Sequence, residues 1–204
     1  MKIKRLFFAV LILLIVFLAG CTDEQDTLKF IYENTGLPHK ECASYEVNIG
    51  SKVGGATVIA ELWQNGECAQ STPLTLNNQT KKIHISFLID GLAAEDNVKG
   101  LNVQIETGET SGSILTYFEL PAEVRGYSFT AYDDKEVIKV NVDEEMLLGV
   151  VAFDTGNGVR TADCKKSLID EPEKIKDYSC VLIIRAAFTA EQIYPQSEAG
   201  AGNA

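Results

Sequence analysis

Ile83-His84-Ile85-Ser86-Phe87-Leu88-Ile89 sets the structural period of this chain. Ile83, Ile85, Phe87 and Ile89 fall on one side and His84, Ser86 and Leu88 on the other, the two-residue repeat of a strand with one buried face. The same repeat runs outward in both directions. Upstream, Tyr45-Glu46-Val47-Asn48-Ile49 alternates, and residues 56–64 resume after the Gly54-Gly55 break. Asn65-Gly66 follows at once, a pair that accepts the positive φ angles of a type I′ hairpin. Residues 72–76 suit a short edge strand, because Pro73 lacks the donor that a central strand uses. Downstream, Leu101, Val103 and Ile105 alternate with Asn102, Gln104 and Glu106. Residues 113–120 are β-branched and aromatic, and residues 127–132 alternate again. Asp133-Asp134-Lys135 turns into an inward row of Ile138, Val140 and Val142. Residues 146–153 and 178–188 are long apolar runs, the pattern of strands covered on both faces.

Strands at such intervals, joined by Gly, Asn and Asp turns, predict an all-β chain of about nine strands. The fold class is an antiparallel β-sandwich (Ig-like) or an open barrel. Helical periodicity is confined to residues 167–178, where Pro172 fits a first turn. With 204 residues, 46% of them hydrophobic, the chain can build an ordinary core and is not disordered throughout. Its 18 Lys and Arg face 29 Asp and Glu, a net charge of −11 that argues against a nucleic-acid partner.

The first residues carry an address. Lys2, Lys4 and Arg5 precede an unbroken apolar run over residues 6–19. As a helix that run reaches roughly 21 Å, short of a hydrocarbon core about 30 Å thick. A basic start and a short apolar run form the pattern of an export signal. The run ends in Leu18-Ala19-Gly20-Cys21, which resembles the lipobox of bacterial lipoproteins. The resemblance implies a diacylglycerol on the Cys21 sulfur and cleavage just before it. It also implies a lipid-anchored protein on the extracytoplasmic side of a bacterial cell membrane or outer membrane. Thr22 is not the Asp that tends to retain Gram-negative lipoproteins in the inner membrane. Cleavage removes three basic residues and no acidic one, so the mature chain is more negative still. The organisation that follows is a signal peptide over 1–20, a lipidated Cys21 and tether over 21–40, a β domain over 41–190 and a loose tail over 191–204. Within the tether, Phe30-Ile31-Tyr32 is expected to dock weakly on the domain. The mature part resembles small β-rich bacterial lipoproteins.

Four cysteines remain after Cys21: Cys42, Cys68, Cys164 and Cys180. Disulfides persist in exported proteins, and four cysteines allow three connectivities. The local pairing, Cys42–Cys68 with Cys164–Cys180, closes loops of moderate length around turn-rich segments. Crossed pairs and free thiols are the alternatives. No two of these cysteines are spaced as zinc ligands, so no metal site is expected.

Val150-Val151-Ala152-Phe153-Asp154-Thr155-Gly156 resembles the D-T-G signature of aspartic proteases, in which an apolar strand delivers an Asp into a tight turn. That chemistry needs two carboxylates sharing a proton, and this chain offers one such motif. The simpler expectation is a polar turn capped by Asp154 and Asn157. His84 lies on the polar row of its strand with no nucleophile motif to serve. His39, beside Pro38, is a loop residue. The acidic clusters at 23–24, 133–134, 143–145 and 170–173 lack the spacing of a calcium loop and read as solvated surface. Trp63, Tyr117, Phe118, Tyr127 and Tyr132 would line a glycan-binding face only if several of their rings were exposed on one sheet.

The expectation is a non-enzymatic binding or interaction module of the cell envelope. It has no catalytic residue and no cofactor, is monomeric, is held to the membrane through Cys21, and has an envelope protein or glycan as partner. A small-ligand or glycan binder and a hydrolase hidden from motif reading are the alternatives.

Overall fold

The computed structural model describes residues 27–31, 41–48, 53–77, 82–90, 97–107, 110–124, 126–132, 138–154, 168 and 171–190. Eleven strands lie among them. They are β1 (Thr27–Ile31), β2 (Glu41–Asn48), β3 (Gly55–Gln64), β4 (Glu67–Asn77), β5 (Lys82–Asp90), β6 (Val98–Thr107), β7 (Ser111–Glu119), β8 (Gly126–Ala131), β9 (Ile138–Lys139), β10 (Glu145–Asp154) and β11 (Cys180–Thr189). A six-stranded sheet has the order β7-β6-β5-β2-β1-β9, and a five-stranded sheet the order β4-β3-β11-β10-β8. All their pairings are antiparallel. The sheets stack without closing into a barrel, so the sandwich alternative holds.

Alternation explains the main core. Tyr45 and Val47 of β2, Ile83, Ile85 and Phe87 of β5, and Leu101, Val103 and Ile105 of β6 all turn inward. They meet Ala56, Val58 and Leu62 of β3 and Leu182, Ile184 and Phe188 of β11. Burying each large side chain of this kind contributes about 1.5–3 kcal/mol before chain entropy is charged against it. The long apolar runs are doubly covered as expected. The other side of β10 and β11 carries a second cluster, in which Leu147, Val150, Val181 and Ile183 pack beneath Leu168 and Ile175. Pro172–Asp177 forms a 3₁₀ helix with the proline in its first turn, so this roof is built where helical periodicity was expected.

Turn chemistry also follows the sequence. Asn65 (φ 53°) and Gly66 (φ 79°) take positive φ between β3 and β4. Strand β4 is an edge strand that accommodates Pro73, but it runs for eleven residues, well beyond the short strand expected.

The chain departs from expectation at its amino-terminal side. Strand β1 lies inside the stretch read as tether, and it is fully paired with β2 from Thr27↔Asn48 to Ile31↔Ser44. Phe30 and Ile31 are sheet residues, not a weakly docked segment. The signal peptide, Cys21, His39, Cys164, the 133–135 turn, residues 155–158 and the tail over 191–204 lie outside the described residues. Among the described residues no helix is long and apolar enough to cross a membrane.

The edge of β7 is occupied from the opposite sheet. Gln70 Nε2 of β4 donates to the Tyr117 carbonyl at 3.2 Å and to Thr116 Oγ1 at 3.1 Å, and Gln64 Nε2 donates to the Glu119 carbonyl at 3.2 Å. Glutamines thus cap carbonyl groups that an edge strand would otherwise offer to another chain.

Candidate functional site

The two outer faces of the sandwich differ. On the five-stranded sheet, Val181, Ile183, Val150 and Trp63 lie under the 3₁₀ helix and Tyr178. Beside them Arg185 bridges two carboxylates, its Nη2 at 2.6 Å from Glu61 Oε1 and its Nη1 bonded to Glu145 Oε2. Trp63 Nε1 donates to the other Glu61 oxygen at 3.2 Å. This network satisfies charges at the rim of an apolar cluster, a structural task.

The outer face of the six-stranded sheet is organised in rungs by strand register. Ser44 stands opposite Ser86, Ser86 opposite Gln104, and Gln104 opposite Ser113, so one uncharged polar rung crosses four strands. On one side of it Glu46, His84, Glu106 and Ser111 form a charged rung. On the other, Cys42, Leu88, Asn102 and Leu115 form a mixed rung, followed by Asp90, Gly100 and Tyr117. A depression of about 200 Å³ opens over Cys42, Ser44, Ser86, Leu88, Asn102 and Gln104. Leu115 (58% exposed) and Tyr117 (60%) stand beyond it. Tyr117 lies across Gly100, where a side chain would touch its ring at 3.7 Å.

His84 does have a hydroxyl neighbour that its own segment does not reveal. Ser44 Oγ lies 2.9 Å from His84 Nε2, brought there by the β2–β5 register. The carboxylate of Glu106 lies 3.9 Å from His84 Nδ1, beyond hydrogen-bond reach, and its Oε1 is bonded to Gln104 Nε2. A base oriented by its carboxylate is what nucleophilic catalysis requires. Here the carboxylate is engaged by an amide, and Ser44 is only 3% exposed.

The expected Cys42–Cys68 disulfide is not formed. Cys42 leaves the outer face of the six-stranded sheet, in register with Leu88. Cys68 leaves the outer face of the five-stranded sheet, opposite Trp63 and close to Glu61 and Arg185. Stacked sheets lie about 10 Å apart, whereas disulfide Cα atoms lie about 4.4–6.8 Å apart. The two thiols point away from each other. Cys180 is a buried thiol in the main core, and burial, with Glu123 nearby, pushes its pKa up to about 12.

Asp154 ends β10 opposite Gly126 and remains half-buried. The aromatic residues do not share one exposed face. Phe118 is core, Tyr127 packs against the core, Trp63 belongs to the second cluster and Tyr132 touches both clusters. Among the described residues, Tyr117 is an exposed ring on the outer face of the six-stranded sheet. Among the described residues no three His, Cys, Asp or Glu side chains converge as metal ligands.

Sequence reading missed the Glu61–Arg185–Glu145 network. The available signal was Arg185 itself, a charge inside the otherwise apolar Val181-Leu182-Ile183-Ile184-Arg185-Ala186-Ala187-Phe188 run. A charge in such a strand requires a partner.

No known protein family, curated protein or solved structure gives a significant match to this chain.

Proposed function

We propose that the chain is a lipid-anchored, non-catalytic binding module on the extracytoplasmic side of a bacterial envelope, meeting its partner with the outer face of the six-stranded sheet. The contrast between the two faces carries this reading. One is roofed by Leu168, Ile175 and Tyr178. The other presents polar rungs, a shallow depression and exposed Leu115 and Tyr117. The β7 edge beside it is capped by glutamines, so on that side of the sheet the face and not the edge is offered to a partner.

The lipobox resemblance at residues 18–21 supports the anchor. Because β1 begins at Thr27, six backbone steps place the first strand within about 20 Å of Cys21. Thr27, Asn48 and Lys82 share the rung at that end of the sheet. From Lys82 to Asp90, whose rung includes Tyr117, the strand rises about 27 Å. Thr27, from which the tether to Cys21 leaves, therefore lies at the end of the sheet opposite the exposed patch.

Cell fractionation of Cys21→Ser, combined with a photo-crosslinking residue at Ser113 or at the opposite-face Ser71, tests both halves. The expected results are loss of membrane retention, and adducts from position 113 but not from 71. Unchanged processing and retention would overturn the anchor. Equal or absent adducts at the two positions would overturn the binding face.

A further inference from the structure

We propose that the outer face of the six-stranded sheet holds a neutral oligosaccharide chain, running diagonally from the Ser44–Ser86–Gln104 depression to Tyr117. This inference rests on the binding-module reading above and names the chemical class of the partner; the face expected from five aromatic rings is not formed, and of them the surface proposed here uses Tyr117 alone.

Three observations converge on that class. First, the rung Ser44–Ser86–Gln104–Ser113 carries no charge; Ser44 is buried against His84 and Gln104 Nε2 is bonded to Glu106, so the groups it turns to a ligand are the Ser86 and Ser113 hydroxyls and the Gln104 amide oxygen, with the Asn102 amide beside them. Hydroxyl and amide groups both donate and accept, which matches ligand hydroxyls that do the same. An anionic ligand would find no cation in this rung. Second, apolar surface is interleaved with these groups. Leu88 lines the depression, while Leu115 stands opposite Asn102. Sugars present C–H faces as well as hydroxyl edges, and a surface offering only one kind of contact would suit them less well. Third, Tyr117 rests on Gly100 and remains 60% exposed, so its ring has a floor and an accessible surface. An aromatic ring so placed is an apolar platform with a polar tip.

The dimensions fit a chain rather than one small ligand. From β2 to β7 are three strand spacings, about 14 Å, and the Gln104 and Gly100 positions lie about 14 Å apart along β6. The patch is shallow, so recognition would be distributed along an extended ligand. A lipid occupant is disfavoured by position, since the Tyr117 rung lies at the end of the sheet away from Thr27. Pairing with a peptide strand at β7 is obstructed by Gln64 and Gln70.

The test titrates the full chain in detergent with neutral oligosaccharides of glucose, mannose and N-acetylglucosamine, and with an acidic polyuronate. Binding to at least one neutral oligosaccharide and not to the polyuronate is expected. Tyr117→Ala and Asn102→Ala should each weaken it by roughly tenfold, with thermal unfolding used to confirm that both variants fold. Tyr117→Phe should retain the affinity, because the ring face is kept, and Ser71→Ala on the opposite sheet should leave it unchanged. No neutral binding, a preference for the polyuronate, or affinity indifferent to Tyr117→Ala would overturn the proposal. Protein adducts from position 113 without oligosaccharide binding would overturn it while leaving the binding-face reading intact. Absence of both signals would overturn the two together.

Discussion

The hydroxyl of Tyr45 crosses the sandwich from β2 and donates to the carbonyl of Leu148 in β10. The same carbonyl accepts the backbone N–H of Tyr132 at 2.9 Å. Leu148 lies at the irregularity of β10, where the register with β11 shifts between Leu147 and Gly149. A bulge leaves backbone groups outside the ladder, and a side chain from the opposite sheet satisfies one of them. Sheet stacking and the bulge are thereby coupled through the Tyr45 hydroxyl, which also lies 3.3 Å from the Tyr132 carbonyl.

Tyr45→Phe tests that coupling. The ring remains stacked on Phe87 with centroids 6.4 Å apart, so packing is retained and the hydroxyl alone is lost. Urea unfolding should show a loss of about 1–2 kcal/mol with little change in m-value. An unchanged midpoint would mean that the Tyr132 N–H satisfies Leu148 alone.

Gly149→Ala should destabilise by about 1–3 kcal/mol. A Cβ there would lie 2.7 Å from Cζ of Phe87, a core ring that also meets Phe129 edge-on. Phe87→Leu shortens the opposing side chain, so the double variant should lose less than the two single losses combined. Simple additivity in thermal melts would rule out the contact as the cause.

Arg185→Ala removes the cation between Glu61 and Glu145. Glu61 is the more enclosed carboxylate, and leaving it uncompensated should cost about 3 kcal/mol. Adding Glu61→Gln should recover part of the loss, as chemical unfolding would show. A double variant no more stable than Arg185→Ala would assign the effect to lost packing instead.

Thiol chemistry should separate the cysteines. Exposed Cys68 should alkylate in the native protein, with its pKa raised by partial burial and by Glu61, so that labelling increases as pH rises beyond the ordinary thiol range. Cys180 should react only on unfolding. Its proton is held up to about pH 12 in the folded chain against 9.0 as the ordinary value, so the unfolded state deprotonates first. The stability contribution is therefore complete below pH 9.0 and lost as pH rises towards 12. Cys180→Val should flatten that part of the stability profile, and an identical slope in the variant would exclude Cys180 as its source.

The residues themselves determined much of this protein. The alternation at 83–89 fixed which side chains of β5 enter the core, because side chains leave a strand on opposite faces in turn. Asn65-Gly66 located a hairpin because few other pairs adopt positive φ twice. The apolar runs at 146–153 and 178–188 announced strands buried twice over. Each of these signals is local. Strand β1 was less legible, since Thr27-Leu28-Lys29-Phe30-Ile31 is short and its stability comes from pairing with β2 and β9. Tertiary structure alone decided the site. Ser44, Ser86, Gln104 and Ser113 belong to four separate strands, and only register sets them in one rung. Register likewise brought Ser44 to His84 and Tyr117 over Gly100. The stacking of two sheets sent Cys42 and Cys68 to opposite surfaces, although they lie near each other along the chain. Spacing in sequence measures the length of a loop; the sheet and face a side chain occupies are set by long-range pairing, and one residue of slip would have moved every member of the rung to the other side.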